Sequence, residues 1–200
     1  MSAPLRAAVY GGSFNPPHVG HALVCGWLRW TGLVDEVWLV PVFRHAFEGR
    51  QDKTLAPFPE RLAWCAAMAA DLGPWARVLD VEAQLPVPSY TLDTLRHLRA
   101  AHPGAALRLV VGADVLPQVG DWHGWEQIVA EFDPIIVGRQ GAPRPPEAPE
   151  GCLDFPDVSS TEVRARLLEG RPLGHLLTRS VAAALGPAPS GGGAEDRDPG

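Results

Sequence analysis

The sequence predicts an α/β fold: a Rossmann-like, doubly wound parallel sheet with helices on both faces and a small C-terminal helical segment. Three observations point there. Short apolar runs that read as buried strands alternate with longer segments of helical spacing, and this order implies parallel pairing under helices. The first run stops directly on Gly11-Gly12, where a strand turns into a helix. The 200 residues are 46% hydrophobic, which supplies one domain with a sizeable core.

The elements follow in order. Leu5 to Tyr10 reads as a buried strand, and His18 to Trp30 carries Val19, Leu23, Trp27 and Trp30 at helical spacing. Val37 to Val42 is a second strand and the Ala-rich stretch Pro59 to Leu72 a helix. Arg77 to Val81 is a short strand candidate. Thr91 to His102 places Leu92, Leu95 and Leu98 on one side of a helix. Leu107 to Val111 is a strand ending at Gly112; Asp121 to Glu131 is helical; Pro134 to Val137 is another short strand. Gln140 to Gly151, rich in Pro and Ala, reads as a surface loop, and Ser159 to Leu168 and His175 to Leu185 as the last helices. The domain is expected to span residues 1–186. Pro187 to Gly200 holds no large apolar residue and reads as a disordered tail. Right-handed crossovers would place a ligand site at the C-terminal ends of the strands.

Composition excludes several classes. The formal net charge is −6, which argues against a general nucleic-acid or anionic-membrane surface, so any phosphate site is a local feature. Lys53 is the only lysine. Cys25, Cys65 and Cys152 are far apart and odd in number, so neither a disulfide framework nor a thiolate zinc site is expected, and a reducing cytoplasm fits. The leading apolar stretch is too short for a membrane span or a secretory core. No oligomeric state is read from the sequence.

Chemistry concentrates in two segments. Gly11-Gly12-Ser13-Phe14-Asn15-Pro16-Pro17-His18-Val19-Gly20-His21 follows the first strand directly. Its glycines let a ligand approach the backbone, and a helix beginning near Pro17 would offer N–H groups and a favourable dipole to an anion. His18 and His21, three apart, share a face there; as residue types alone they fit phosphate donors, surface histidines or two zinc ligands. In the second segment, Ser159-Ser160-Thr161-Glu162-Val163-Arg164, Ser159 and Glu162 have capping-box spacing. Two hydroxyls and Arg164 make it either a second anion site or an ordinary capped helix.

Taken together, these segments resemble the two signatures of the nucleotidyltransferase superfamily, HxGH (here His18-Val19-Gly20-His21) and (I)SSTxxR, with Val158 where Ile is frequent. The preceding Gly-Gly-Ser-Phe-Asn-Pro makes the chain similar to the nicotinate and nicotinamide mononucleotide adenylyltransferases. Gly112-x-Asp114 followed by Trp122-x-x-Trp125-Glu126 resembles that family's mononucleotide-binding segment. Pro88-Ser89-Tyr90-Thr91-Leu92-Asp93-Thr94-Leu95 resembles its P-S-Y-T-x-x-T-L stretch. The likeness runs from Val9 to Leu185.

The resemblance implies adenylyl transfer from ATP to nicotinate mononucleotide, with Mg²⁺ accompanying ATP and no dedicated protein metal site. It assigns His18, His21 and Arg164 to charge stabilisation. Gly11, Gly12, Ser13, Phe14, Ser159, Ser160 and Thr161 join them around ATP. Gly12, Ser13, Lys53, Tyr90, Thr91, Gly112, Asp114, Trp122 and Trp125 fall to the mononucleotide. One departure concerns the segment after the second strand. Where bacterial nicotinate enzymes commonly carry an N-x-P-P-H-K-like sequence, this chain has Pro41-Val42-Phe43-Arg44-His45-Ala46-Phe47 and then Lys53. The competing readings are a nicotinamide or dual-specificity enzyme, a phosphopantetheine adenylyltransferase, a cytidylyltransferase, and a catalytically silent nucleotide-binding regulator.

Overall fold

The computed structural model describes residues 3–43, 55–141, 146 and 153–186. Lys53, Cys152, most of the 140–151 loop and the 187–200 tail lie outside the described residues.

Six strands, β1 (Leu5–Gly12), β2 (Glu36–Pro41), β3 (Ala76–Val78), β4 (Ala105–Gly112), β5 (Ile135–Arg139) and β6 (Asp154–Phe155), lie in the order β3-β2-β1-β4-β5-β6. Every pairing is parallel. The helices are α1 (Val19–Trp30), α2 (Phe58–Leu72), α3 (Thr91–Ala101), α4 (Trp125–Phe132), α5 (Ser160–Leu168) and α6 (Arg179–Leu185). The doubly wound sheet expected from the sequence is therefore present.

Side chains that alternate along each strand feed two separate cores. Ala8, Val37, Leu39 and Val110 pack on one face against Leu28 of α1, Met68 of α2, Val163 of α5 and Val181 of α6. Ala7, Val9, Trp38, Val40, Leu109 and Val111 pack on the other against Leu92, Leu95 and Leu98 of α3 and Ile128 and Phe132 of α4. Because both faces are covered, the strands read as unbroken apolar runs rather than as alternating ones.

Three expectations need correction. The strand expected over Arg77 to Val81 ends at Val78, and Val81–Gln84 forms a 3₁₀ turn. The helix expected from Asp121 to Glu131 is two elements: a 3₁₀ stretch over Ala113–Asp121 containing Pro117, and then α4 from Trp125. Gly124, at φ +70, separates them, so Trp122 and Trp125 do not share one helix face. The last helix starts at Arg179 rather than His175, because Leu173 to Thr178 forms a turn; there the Leu176 carbonyl accepts from the Val19 N–H at 2.8 Å. The short edge strand β6 went unpredicted; two residues are too few to carry a periodicity.

Candidate active site

The strand order reverses between β1 and β4, and a crevice opens there at the strands' C-terminal ends. Two cavities occupy it, of about 420 and 370 Å³. Tyr10, Gly11, Ser13, Gly112 and Asp114 line both, so the cavities meet over the ends of β1 and β4.

The turn after β1 is held rather than loose. A Cβ on Gly11 would meet nothing within 4 Å, which leaves the backbone open to the crevice. Gly12 instead lies under the Phe14 ring, 3.3 Å from where its Cβ would stand. Phe14 is fully buried at φ +44, with its ring against His21 (4.9 Å between centroids) and Tyr10 (5.6 Å). From α2, the buried Arg61 donates to the Ser13 carbonyl and the Ala56 carbonyl, both at 2.9 Å. The Asn15 side-chain oxygen accepts from the Ala56 N–H at 3.0 Å.

His18 is the N-cap residue of α1 and His21 its third helical position. The His21 Nδ1 accepts from the His18 backbone N–H at 3.1 Å, so the neutral ring carries its proton on Nε2. The His18 Nδ1 is buried without a hydrogen-bond partner among the described residues. Burial holds both rings neutral. It lowers His18 to about 4, with Arg139 adding to the shift, and takes His21 well below the ordinary histidine range, with His18 and Arg139 contributing. The helix start is less open than the sequence suggested, since the Val19 N–H is already engaged by Leu176.

The second motif lies across from the first. Ser159 caps α5, its Oγ accepting from the Glu162 N–H at 3.1 Å. The Glu162 carboxylate does not close a capping box; it pairs with Arg166 one turn on at 2.6 Å. Ser160 Oγ donates to the Pro16 carbonyl at 2.8 Å, and Arg164 Nη1 donates to the Asn15 carbonyl at 2.7 Å. Arg164 Nη2 lies 3.2 Å from Thr161 Oγ1. His18, His21, Ser159, Ser160, Thr161 and Arg164 all line the larger cavity, with Gly11, Ser13 and Phe14. Arg139, at the end of β5, lines it too and pairs with Asp157 at 2.6 Å. Sequence reasoning missed Arg139, although its place directly after a buried strand was a usable signal.

The smaller cavity collects the other motif residues. Gly12, Tyr90, Thr91, Trp122, Gly112 and Asp114 line it. The Asp114 carboxylate folds back over Gly112, close to where a Cβ would stand. Tyr90 packs on His123, 4.8 Å between ring centroids, at the start of α3. Trp125 lines neither of these cavities; it packs edge-on against Trp122 at 5.7 Å. Glu82, absent from the sequence reading, is buried in the wall and accepts from the Phe43 N–H at 3.0 Å and the Ser89 hydroxyl at 3.2 Å. Among the described residues, no group of three His, Cys, Asp or Glu could hold a metal ion. No helix among them is long and apolar enough to cross a membrane.

Residues 9–166 match the Cytidylyltransferase-like family. A protein of Anaeromyxobacter sp. (strain K), named "Probable nicotinate-nucleotide adenylyltransferase", is 44% identical over 184 residues, covering 90% of this chain and 94% of its own. The chain belongs to the nicotinate-nucleotide adenylyltransferase family. A further member from Myxococcus xanthus, with the same name, is 34% identical over 92% of this chain and 94% of its own. The fold is shared more widely. A nicotinic acid mononucleotide adenylyltransferase of Plasmodium falciparum, solved in complex with NaAD, superposes with a TM-score of 0.68 at 18% identity, covering 90% of this chain and 94% of that one. The family likeness spans both cavities, from the glycine turn to Arg164.

Proposed function

We infer that the chain catalyses the reaction its relatives are named for. It transfers the adenylyl group of ATP to the 5′-phosphate of nicotinate mononucleotide, giving deamido-NAD and pyrophosphate, a step of NAD biosynthesis. The observation that carries this reading is the meeting of two sequence motifs at one rim. Ser160 and Arg164 hydrogen-bond the carbonyls of Pro16 and Asn15, 144 and 149 residues away, and both segments line one cavity that opens into a second. A dinucleotide synthesis needs this arrangement: two nucleotide sites that share a floor where the phosphates react.

The attacking phosphate is anionic at neutral pH, so no side chain has to remove a proton. The chain's contribution is alignment and charge stabilisation. In this reading ATP lies in the larger cavity, between Gly11 to Phe14 and Ser159 to Thr161, and the mononucleotide in the smaller one against Tyr90, Thr91, Trp122, Gly112 and Asp114. The His21 Nε2–H and the remaining Arg164 N–H groups donate to the α-phosphate region, and His18 gains a proton or a donor contact as the anion arrives. Lys53 belongs to the mononucleotide side. Mg²⁺ would accompany ATP as part of the substrate and would neutralise part of the triphosphate charge. A reducing cytoplasm suits the free, buried thiols of Cys25 and Cys65.

The test is direct. The protein is incubated with ATP, Mg²⁺ and nicotinate mononucleotide, and pyrophosphate and deamido-NAD are followed. The expected result is stoichiometric appearance of both. ATP binding without dinucleotide formation would leave a silent nucleotide-binding protein; product only with phosphopantetheine would move the chain to a sister activity.

A further inference from the structure

We propose that Glu82 is a specificity-determining residue that reads the substituent of the pyridine base through its unshared carboxylate oxygen. The proposal rests on the mononucleotide site assigned above and goes beyond it.

Both hydrogen bonds to Glu82 fall on the same atom. Oε2 accepts from the Phe43 N–H, at the exit of β2, and from the Ser89 hydroxyl, just before α3. Oε1 has no hydrogen-bond partner among the described residues, yet the side chain is only 7% exposed. The residue lines the 370 Å³ cavity, together with Tyr90, Thr91 and Trp122. No Lys or Arg among the described residues lines that cavity; its other ionisable members are Tyr10, Tyr90, Asp114 and His123. A carboxylate oxygen that the wall leaves unshared is available to a donor on a ligand bound in the cavity.

The chemistry then separates two substrates that differ only at the base. As a carboxylate, Glu82 accepts from the N–H of a nicotinamide and repels the carboxylate of nicotinate. As a carboxylic acid, it donates its proton to nicotinate. Burial raises the carboxyl above the ordinary glutamate range, while the Phe43 and Ser89 bonds and the nearby Arg61 charge pull it back, and rising pH moves it from the acid towards the carboxylate. Glu82→Gln keeps a carbonyl oxygen for Phe43 and Ser89 and turns the unshared position into a permanent N–H donor.

The experiment measures kcat/KM for nicotinate and nicotinamide mononucleotides in the wild type and in Glu82→Gln, from pH 5.5 to 8.5. The ratio of the two cancels everything the substrates share: their phosphate, ATP, His18, His21 and Asp114. In the wild type the nicotinate-to-nicotinamide ratio should fall as pH rises. In Glu82→Gln it should be at least about tenfold higher at pH 8, the scale of one mispaired buried group, and flat with pH, with the KM for ATP unchanged. A ratio equal to wild type at all pH values, or an equal loss on both substrates, would overturn the proposal. Should Glu82→Gln not fold, the wild-type ratio decides alone, and a pH-independent ratio sinks the idea. Failure of the wild type to use either mononucleotide is a different result, since it removes the assigned activity.

Discussion

The imidazoles of His18 and His21 lie almost face to face, their centroids 3.8 Å apart and their planes tilted by 32°. Among the described residues only one is anchored: the backbone fixes the His21 Nδ1, while the His18 Nδ1 is buried without a partner. The pair is poised for an anion, which would supply both the missing contact and a reason for a ring to charge.

His21→Ala removes the anchored donor. The variant is expected to fold and to lose at least about a hundredfold in turnover, the scale for a preorganised charge stabiliser. A folded variant with near wild-type turnover would end this role for His21.

Gly20→Ala tests the spacing inside the motif. A Cβ there would stand 3.1 Å from His18 Nδ1 and 3.2 Å from its Cε1. Alanine favours helix by about 1 kcal/mol, so stability should hold while the His18 ring is pushed aside. The expected outcome is a melting temperature within a few degrees of wild type and a kcat/KM lowered about tenfold or more, as small misplacements at a reacting centre do. Unchanged kcat/KM would show that the ring position is not critical.

Stability should depend on pH through the same pair. Both rings are neutral in the fold, His18 with its pKa lowered to about 4 from 6.5, whereas the unfolded chain binds these protons near pH 6.5. The unfolded state therefore gains protons first as pH falls, and stability drains from about pH 6.5 towards 4. Melting curves at pH 7, 6 and 5 should show the decline, and a His18→Gln, His21→Gln double variant should lessen it. Parallel curves for the two proteins would refute this origin.

Arg61 is the buried brace of the turn after β1, through Ser13 and Ala56. Arg61→Met keeps the bulk and removes both bonds. A loss of about 2 kcal/mol, typical for hydrogen bonds from a charged donor, should appear in denaturant unfolding, together with a raised KM for ATP. An unaltered KM would show that the turn keeps its shape without the brace.

Most of the architecture could be read from the chain because both sheet faces are buried: runs such as Leu5 to Tyr10 and Leu107 to Val111 carry the strand signal outright. The two motif segments that line the larger cavity were legible for a similar reason, since backbone-level needs, such as Gly20 beneath His18 or Ser159 capping α5, leave sequence marks at fixed spacing. Glu82 and Arg61 were not legible. Their partners are backbone or hydroxyl groups 5 to 48 residues away, and no local pattern distinguishes a buried acid or arginine from a solvated one. Trp122 and Trp125 misled because spacing alone does not reveal Gly124 breaking the helix between them.

The shared floor of the two cavities has a further meaning for divergence. Of the five residues common to both, Gly11 and Gly112 have no side chain to vary. Tyr10, Ser13 and Asp114 are the described residues whose side chains belong to both linings. On the proposed assignment, such a scaffold would let one pocket be retuned while the other is inherited intact, a modularity set by where the strand order turns back on itself.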